Sequence, residues 1–89
     1  MEVTSKPQRS PEAAYQTVEE EAILINLNTG SYYSLNDVGT MFWDLLDGQR
    51  TITDCARLIA SEYEVELDVV EADLLELTSD LVNEDLLVV

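Results

Sequence analysis

Histidine is absent from this chain of 89 residues, and cysteine occurs once, at Cys55. Those two gaps exclude an internal disulfide, most zinc sites, imidazole acid–base catalysis and a Cys–His nucleophile pair. Cations are nearly as scarce: Lys6, Arg9, Arg50 and Arg57 stand against nineteen acids, for a formal net charge of −15. No cation follows Arg57. A surface of that sign repels phosphate backbones and anionic membranes, so neither nucleic acid nor membrane is an expected partner. It suits a cationic partner, or simply solubility. No apolar run approaches the ~20 residues needed to span a bilayer. The N-terminus is polar, so no signal peptide is expected and a cytoplasmic location is the default. Both prolines, Pro7 and Pro11, lie in that polar start, which also carries Lys6 and Arg9. Residues 1–12 are therefore expected to form a flexible tail, and 13–89 a single domain. The many carboxylates fall on exposed faces with nothing to raise one pKa selectively. No enzymatic activity, metal or cofactor is expected.

What is present supports a packed core. Hydrophobic residues make up 46% of the chain. A domain of this size buries roughly 60–65% of the surface its unfolded chain exposes, enough for one modest core. The most informative stretch runs from Ile23 to Gly48. Ile23, Leu24, Ile25 and Leu27 form an apolar arm. Asn28-Thr29-Gly30 supplies turn chemistry, because Asn and Gly tolerate positive φ. Ser31 to Leu35 returns as an aromatic-rich arm suited to a pleated surface. The pattern predicts a hairpin with strands near 22–28 and 31–35. Ala14 to Val18 is a candidate preceding strand, and Glu19-Glu20-Glu21 a connection.

Helical spacing comes next along the chain. Val38, Met41, Phe42, Leu45 and Leu46 predict a first helix from about Asp37 to Asp47, capped by Asn36 and ended by Gly48. Gly39 within it costs up to roughly 1 kcal/mol relative to Ala and suggests close packing against another element. Thr51 or Thr53 caps a second helix to about Tyr63, with Ile52, Cys55, Ala56, Ile59 and Tyr63 as its apolar positions. Cys55 among these neighbours reads as a small buried hydrophobe with no base to activate it. Asp68-Val69-Val70-Glu71 has the spacing of a capping box and opens the longest helix, to about Asn83. Val70, Leu74, Leu77 and Leu81 form one stripe, flanked by Asp73, Glu76, Asp80 and Glu84. Leu86 to Val89 is a short apolar end suited to a strand edge or to packing under the hairpin.

The expected fold is α+β and resembles a winged helix-turn-helix: a three-stranded antiparallel sheet followed by three helices. DNA binding, which that fold often serves, conflicts with the charge. A carrier domain would need an exposed serine at a helix start, and neither Ser34 nor Ser79 has that context.

The ordered combination Y-Y-S-L-N, W-D-L-L-D-G and E-A-D-L-L resembles the PqqD-like family, also called RiPP recognition elements, across about residues 14–89. One departure is Asp85, where many members have glycine. The resemblance implies a binding module that captures the leader segment of a ribosomally made precursor peptide. The leader adds antiparallel to the third strand and against the third helix. Carried onto this chain, the strand is Ser31, Tyr32, Tyr33, Ser34 and Leu35, and the helix face is Val69, Val70, Asp73, Leu74 and Leu77. Implied partners are a precursor leader peptide and a leader peptidase or other modifying enzyme, most readily that of a lasso-peptide pathway. The alternatives are a peptide chaperone for a radical S-adenosylmethionine enzyme in quinone-cofactor biosynthesis, and a small acidic interaction or carrier domain. Independently of resemblance, a hairpin with a free edge beside helices suits strand addition by an extended peptide.

Overall fold

Alternation over residues 21–26 organises the sheet. Ala22, Leu24 and Asn26 are buried, while Glu21, Ile23 and Ile25 face solvent. The computed structural model describes residues 2–89. Its elements are β1 (Gln8–Arg9), β2 (Ala13–Val18), β3 (Glu21–Asn26), β4 (Tyr32–Leu35), α1 (Asp37–Leu45), α2 (Ile52–Tyr63), α3 (Leu67–Asn83) and β5 (Leu87–Val88). β3 is the central strand of an antiparallel sheet ordered β2-β3-β4. Three helices come after it, so the architecture is the small α+β fold expected from the sequence. Among the described residues, no helix is long and apolar enough to cross a membrane.

The first hairpin arm ends earlier than expected, at Asn26 rather than residue 28. Asn26 is 1% exposed, and its Oδ1 accepts from the amides of Asn28 (2.8 Å) and Thr29 (3.2 Å), turning the chain. Gly30 completes the turn at φ +79°. The same Asn26 side chain donates through Nδ2 to the carbonyls of Glu84 (3.0 Å) and Asp85 (3.4 Å). One buried amide thus ties the β3–β4 turn to the end of α3. Asn26→Ala leaves buried polar groups without partners and is expected to cost about 2–3 kcal/mol. Chemical denaturation checks this, and a loss below ~1 kcal/mol would contradict the assigned role.

The N-terminal segment departs from the flexible tail expected over residues 1–12. Met1 lies outside the described residues, but the segment after it is docked. The amides of Ile52 and Thr53 donate to the carbonyls of Ser5 and Val3, each at 3.1 Å. Pro7 is fully buried. β1 pairs antiparallel with β5 in a second, two-stranded sheet. Arg9 donates through Nη2 (2.8 Å) and Nε (3.1 Å) to the Trp43 carbonyl, and its guanidinium lies 5.1 Å and 5.3 Å from the Tyr15 and Trp43 ring centres. The Trp43 carbonyl also accepts a longer bond from the Leu46 amide at 3.3 Å, and the C-terminal end of α1 favours the cation that Arg9 supplies. The apolar C-terminal end meets the expectation of an added strand edge, as β5.

Helix ends show local chemistry in part. Asn36 caps α1, its Oδ1 accepting from the Gly39 amide at 2.9 Å. α1 stops at Leu45, two residues short of the expected Asp47. Asp47 is instead engaged by the amides of Gln49 and Arg50, and Arg50 Nη1 donates to the Leu45 carbonyl at 3.0 Å. Thr51 caps α2 in a reciprocal box with Asp54. The donated Thr51 amide holds the Asp54 carboxyl below its ordinary range. The box expected at Asp68 and Glu71 does not form. α3 begins at Leu67, its N-cap Glu66 makes no side-chain cap bond, and Asp68 accepts only from the adjacent Val69 amide. Leu67 packs against the core, so apolar burial starts the helix before Asp68.

Phe42, Trp43, Ile52, Cys55, Ala56, Ile59, Leu74 and Leu81 build the core beneath Leu24 and Leu35. Cys55 is buried as expected, and desolvation pushes its thiol up to about 11. The buried stripe of α3 is Val70, Leu74, Thr78 and Leu81. It differs from the expected stripe at one position, since Thr78 replaces Leu77. The Thr78 hydroxyl donates to the Leu74 carbonyl at 2.6 Å, which satisfies it inside the core. Leu77 is left half-buried at the surface.

Candidate functional site

β4 is the outer strand of the sheet, and among the described residues no strand pairs with its far side. The register decides what that edge offers. The Asn26 amide donates to the Ser31 carbonyl at 2.8 Å. Hydrogen-bonded pairs alternate along an antiparallel ladder. With Leu24 opposite Tyr33 and Ala22 opposite Leu35, these residues share the hydrogen-bonding pattern of Asn26 and Ser31. Tyr32 and Ser34 therefore direct their N–H and C=O groups away from β3, into open space. Side chains alternate the other way. Tyr33 and Leu35 turn toward the helices, whereas Tyr32, at 75% exposure, lies on the outer face.

Beside this edge runs a groove of about 430 Å³. Tyr33, Ser34 and Leu35 form one wall, Asn36, Val38 and Gly39 close one end, and Asp73, Leu74 and Leu77 of α3 form the other wall. Gly39 explains the close approach of α1 to β4. A Cβ there would come within 3.2 Å and 3.3 Å of the Leu35 side chain. Leu35 and Leu74 supply an apolar floor, and Asp73 stands exposed at the rim. The Tyr33 hydroxyl donates to Asp80 Oδ2 at 3.4 Å, linking the two walls. Burial first, then the Asp80 charge, raises the Tyr33 pKa. The arrangement holds extended chain: main-chain groups along one side, an apolar trough beneath, carboxylates on the far rim.

Residues 21–87, three quarters of the chain, match the family model for coenzyme PQQ synthesis protein D (PqqD). The chain belongs to the PqqD family. No protein of curated function matches it. Among solved structures it is similar to TbiB1 in complex with the TbiA(beta) leader peptide, with 31% identity over 90% of this chain and 93% of that one, at a TM-score of 0.82. It is also similar to lasso peptide synthetase B1 complexed with the leader peptide, with 25% identity over 96% and 100% of the two chains, at a TM-score of 0.83.

In this PqqD-family chain the groove gathers Tyr33, Ser34, Leu35, Asp73, Leu74 and Leu77 from the residues read out of the sequence. Tyr32 contributes main chain to the edge but points its ring to the opposite face. Ser31 precedes β4, and its carbonyl is already taken by the Asn26 amide. Val70 is 5% exposed and belongs to the core, and Val69 is exposed without lining the groove. Both share a helix face with Asp73 and Leu74 but lie one turn nearer the start of α3, before the residues that line the groove. Asn36, Val38 and Gly39 were not among the expected site residues. The signal for them was present: a helix cap followed by a mid-helix glycine marks a place where backbone comes close.

Proposed function

We propose that this protein binds the leader segment of a ribosomally synthesised precursor peptide and hands it to a processing enzyme. The leader adds as a strand to β4, with α3 as the second wall. The observation that carries this reading is the unpaired main-chain edge at Tyr32 and Ser34 directly beside the groove. The leader runs antiparallel, as every strand pair in the β2–β3–β4 sheet does, since that pairing is the more stable per residue. Alternate leader side chains then drop toward Leu35, Leu74 and Leu77 and provide specificity. The protein itself is non-catalytic and acts in the cytoplasm, where precursor peptides are made. The receiving enzyme is the leader peptidase of a lasso-peptide route. The likeness to a leader-bound lasso peptide synthetase B1 supports that enzyme over the radical enzyme of quinone-cofactor synthesis.

The test is a fluorescence titration of a labelled leader, taken from a short precursor gene beside this one, against the purified protein. Saturable binding that a scrambled leader does not reproduce is expected. Equal binding of the scramble would refute leader recognition. Two leucines refine the assignment. Leu74 is 1% exposed, so Leu74→Asp buries a charge and is expected to unfold the domain. Leu77 is half-buried at the wall, so Leu77→Asp should remain folded by circular dichroism and bind leader at least about tenfold more weakly. A folded Leu77→Asp variant with unchanged affinity would remove α3 from the site.

A further inference from the structure

A second hollow adjoins the groove beyond Leu35. Ala22 lies opposite Leu35, which brings the Glu19-Glu20 turn between β2 and β3 to the C-terminal end of β4. This hollow of about 530 Å³ opens there, lined by Glu19, Glu20, Glu21, Asn36 and Asp37. Asn36 also lines the groove, so the two hollows adjoin at that residue. An antiparallel peptide leaving the groove past Leu35 does so in its N-terminal direction. It passes from an apolar trough onto the carboxylates of Glu19, Glu20, Glu21 and Asp37.

Among the described residues, no cation lines either hollow. Arg9 is committed to the Trp43 carbonyl, and Arg50 to Asp47 and the Leu45 carbonyl. The turn at the other end of β4, Asn28-Thr29-Gly30-Ser31, is uncharged. The acids toward that end belong to α3: Asp80 receives the Tyr33 hydroxyl, and the charges of Glu76 and Glu84 also reach Tyr33. Burial raises the Tyr63 pKa, and the Asp37 and Glu20 charges raise it further, which marks the negative field at the Leu35 end.

We propose that the peptide seated on β4 is basic immediately N-terminal to its strand-forming stretch, its lysines or arginines lying over Glu19, Glu20, Glu21 and Asp37. This rests on the strand-addition reading above and assigns the chemistry of its ligand. The apolar stretch supplies register and contact area. The basic flank lies over four carboxylates at the Leu35 end, beyond the reach of the apolar stretch itself. Opposite charges also speed encounter with so acidic a protein.

The test pans a displayed library of random linear peptides against three folded proteins, each checked by circular dichroism. These are the wild type, the triple variant Glu19→Gln/Glu20→Gln/Glu21→Gln, and a control, Glu2→Gln/Glu12→Gln/Asp44→Asn, which removes the same charge elsewhere. Peptides selected by the wild type should share an apolar stretch with Lys or Arg enriched several-fold just before it. The triple variant should keep the stretch and lose the basic flank, and the control should keep both. A stretch without flank bias, a bias on its C-terminal side, or a bias that survives the triple substitution would each overturn the proposal while leaving strand addition standing. Failure of the wild type to select any shared stretch would overturn the strand-addition reading, and this inference with it.

Discussion

Ser34→Pro is expected to leave the domain folded and to abolish leader capture. The Ser34 amide faces away from β3, so proline there removes no bond from the sheet. Edge strands tolerate proline where the N–H faces solvent. The preceding Tyr33 is already extended, the conformation that a following proline favours. The substitution removes the outward donor, and the ring obstructs the approach of an added strand. One lost main-chain bond is worth about 1 kcal/mol. With the neighbouring bonds displaced, the expected loss of affinity is about a hundredfold or more. Tyr33→Pro makes the contrast: its amide faces β3, so the same ring breaks the ladder and should lower the melting temperature sharply. Thermal melts beside leader titrations separate the two. A folded Ser34→Pro protein with wild-type affinity would sink the strand-addition model.

Trp43→Ala is expected to be the most damaging single truncation in the core. The ring is fully buried, and it meets the edge of Tyr15 at a centroid distance of 5.8 Å and an angle of 72°. The ring also lies 5.3 Å from the Arg9 guanidinium, so its loss removes a contact that holds the docked N-terminal segment. Truncation of a buried Trp costs about 3–5 kcal/mol. A domain of this length is stable by roughly 5–10 kcal/mol, so most of that margin disappears. Trp43→Phe should cost much less. The indole Nε1 has no hydrogen-bond partner among the described residues, so the smaller ring gives up no hydrogen bond. Urea denaturation followed by far-ultraviolet circular dichroism measures both variants. Equal losses for Ala and Phe would show that ring volume does not carry the stability assigned to it.

Both expectations depend on distinguishing main-chain direction and burial at neighbouring positions, and there the sequence is an uneven guide. Local patterns carried far. The apolar arm and the Asn28-Thr29-Gly30 turn gave the hairpin, Asn36 and Thr51 marked helix starts, and the spacing of Phe42, Ile52, Ile59 and Leu74 marked core. Patterns that compete with packing were less reliable. Asp68 and Glu71 have the spacing of a capping box, yet Leu67 gains more by packing in the helix than Asp68 gains as a cap. Leu77 has the more apolar side chain, yet Thr78 occupies the core because its hydroxyl is satisfied by Leu74. The N-terminal residues look like solvated tail by composition. They are held by a set of partners more than thirty residues away: Trp43, Ile52, Thr53 and Leu87.

The sequence by itself determined the class of the fold, the order of its elements and the negative sign of its surface. Each of these stems from periodicity, capping chemistry or charge count, which are local or additive properties. The tertiary structure alone decided that Tyr32 and Ser34 rather than Tyr33 and Leu35 offer the open edge of β4, and that a hollow lined by Glu19, Glu20 and Glu21 adjoins the groove. Those features depend on strand order, register and the close approach of α1 at Gly39. They are set by which distant surfaces bury each other best, and no local pattern records that choice.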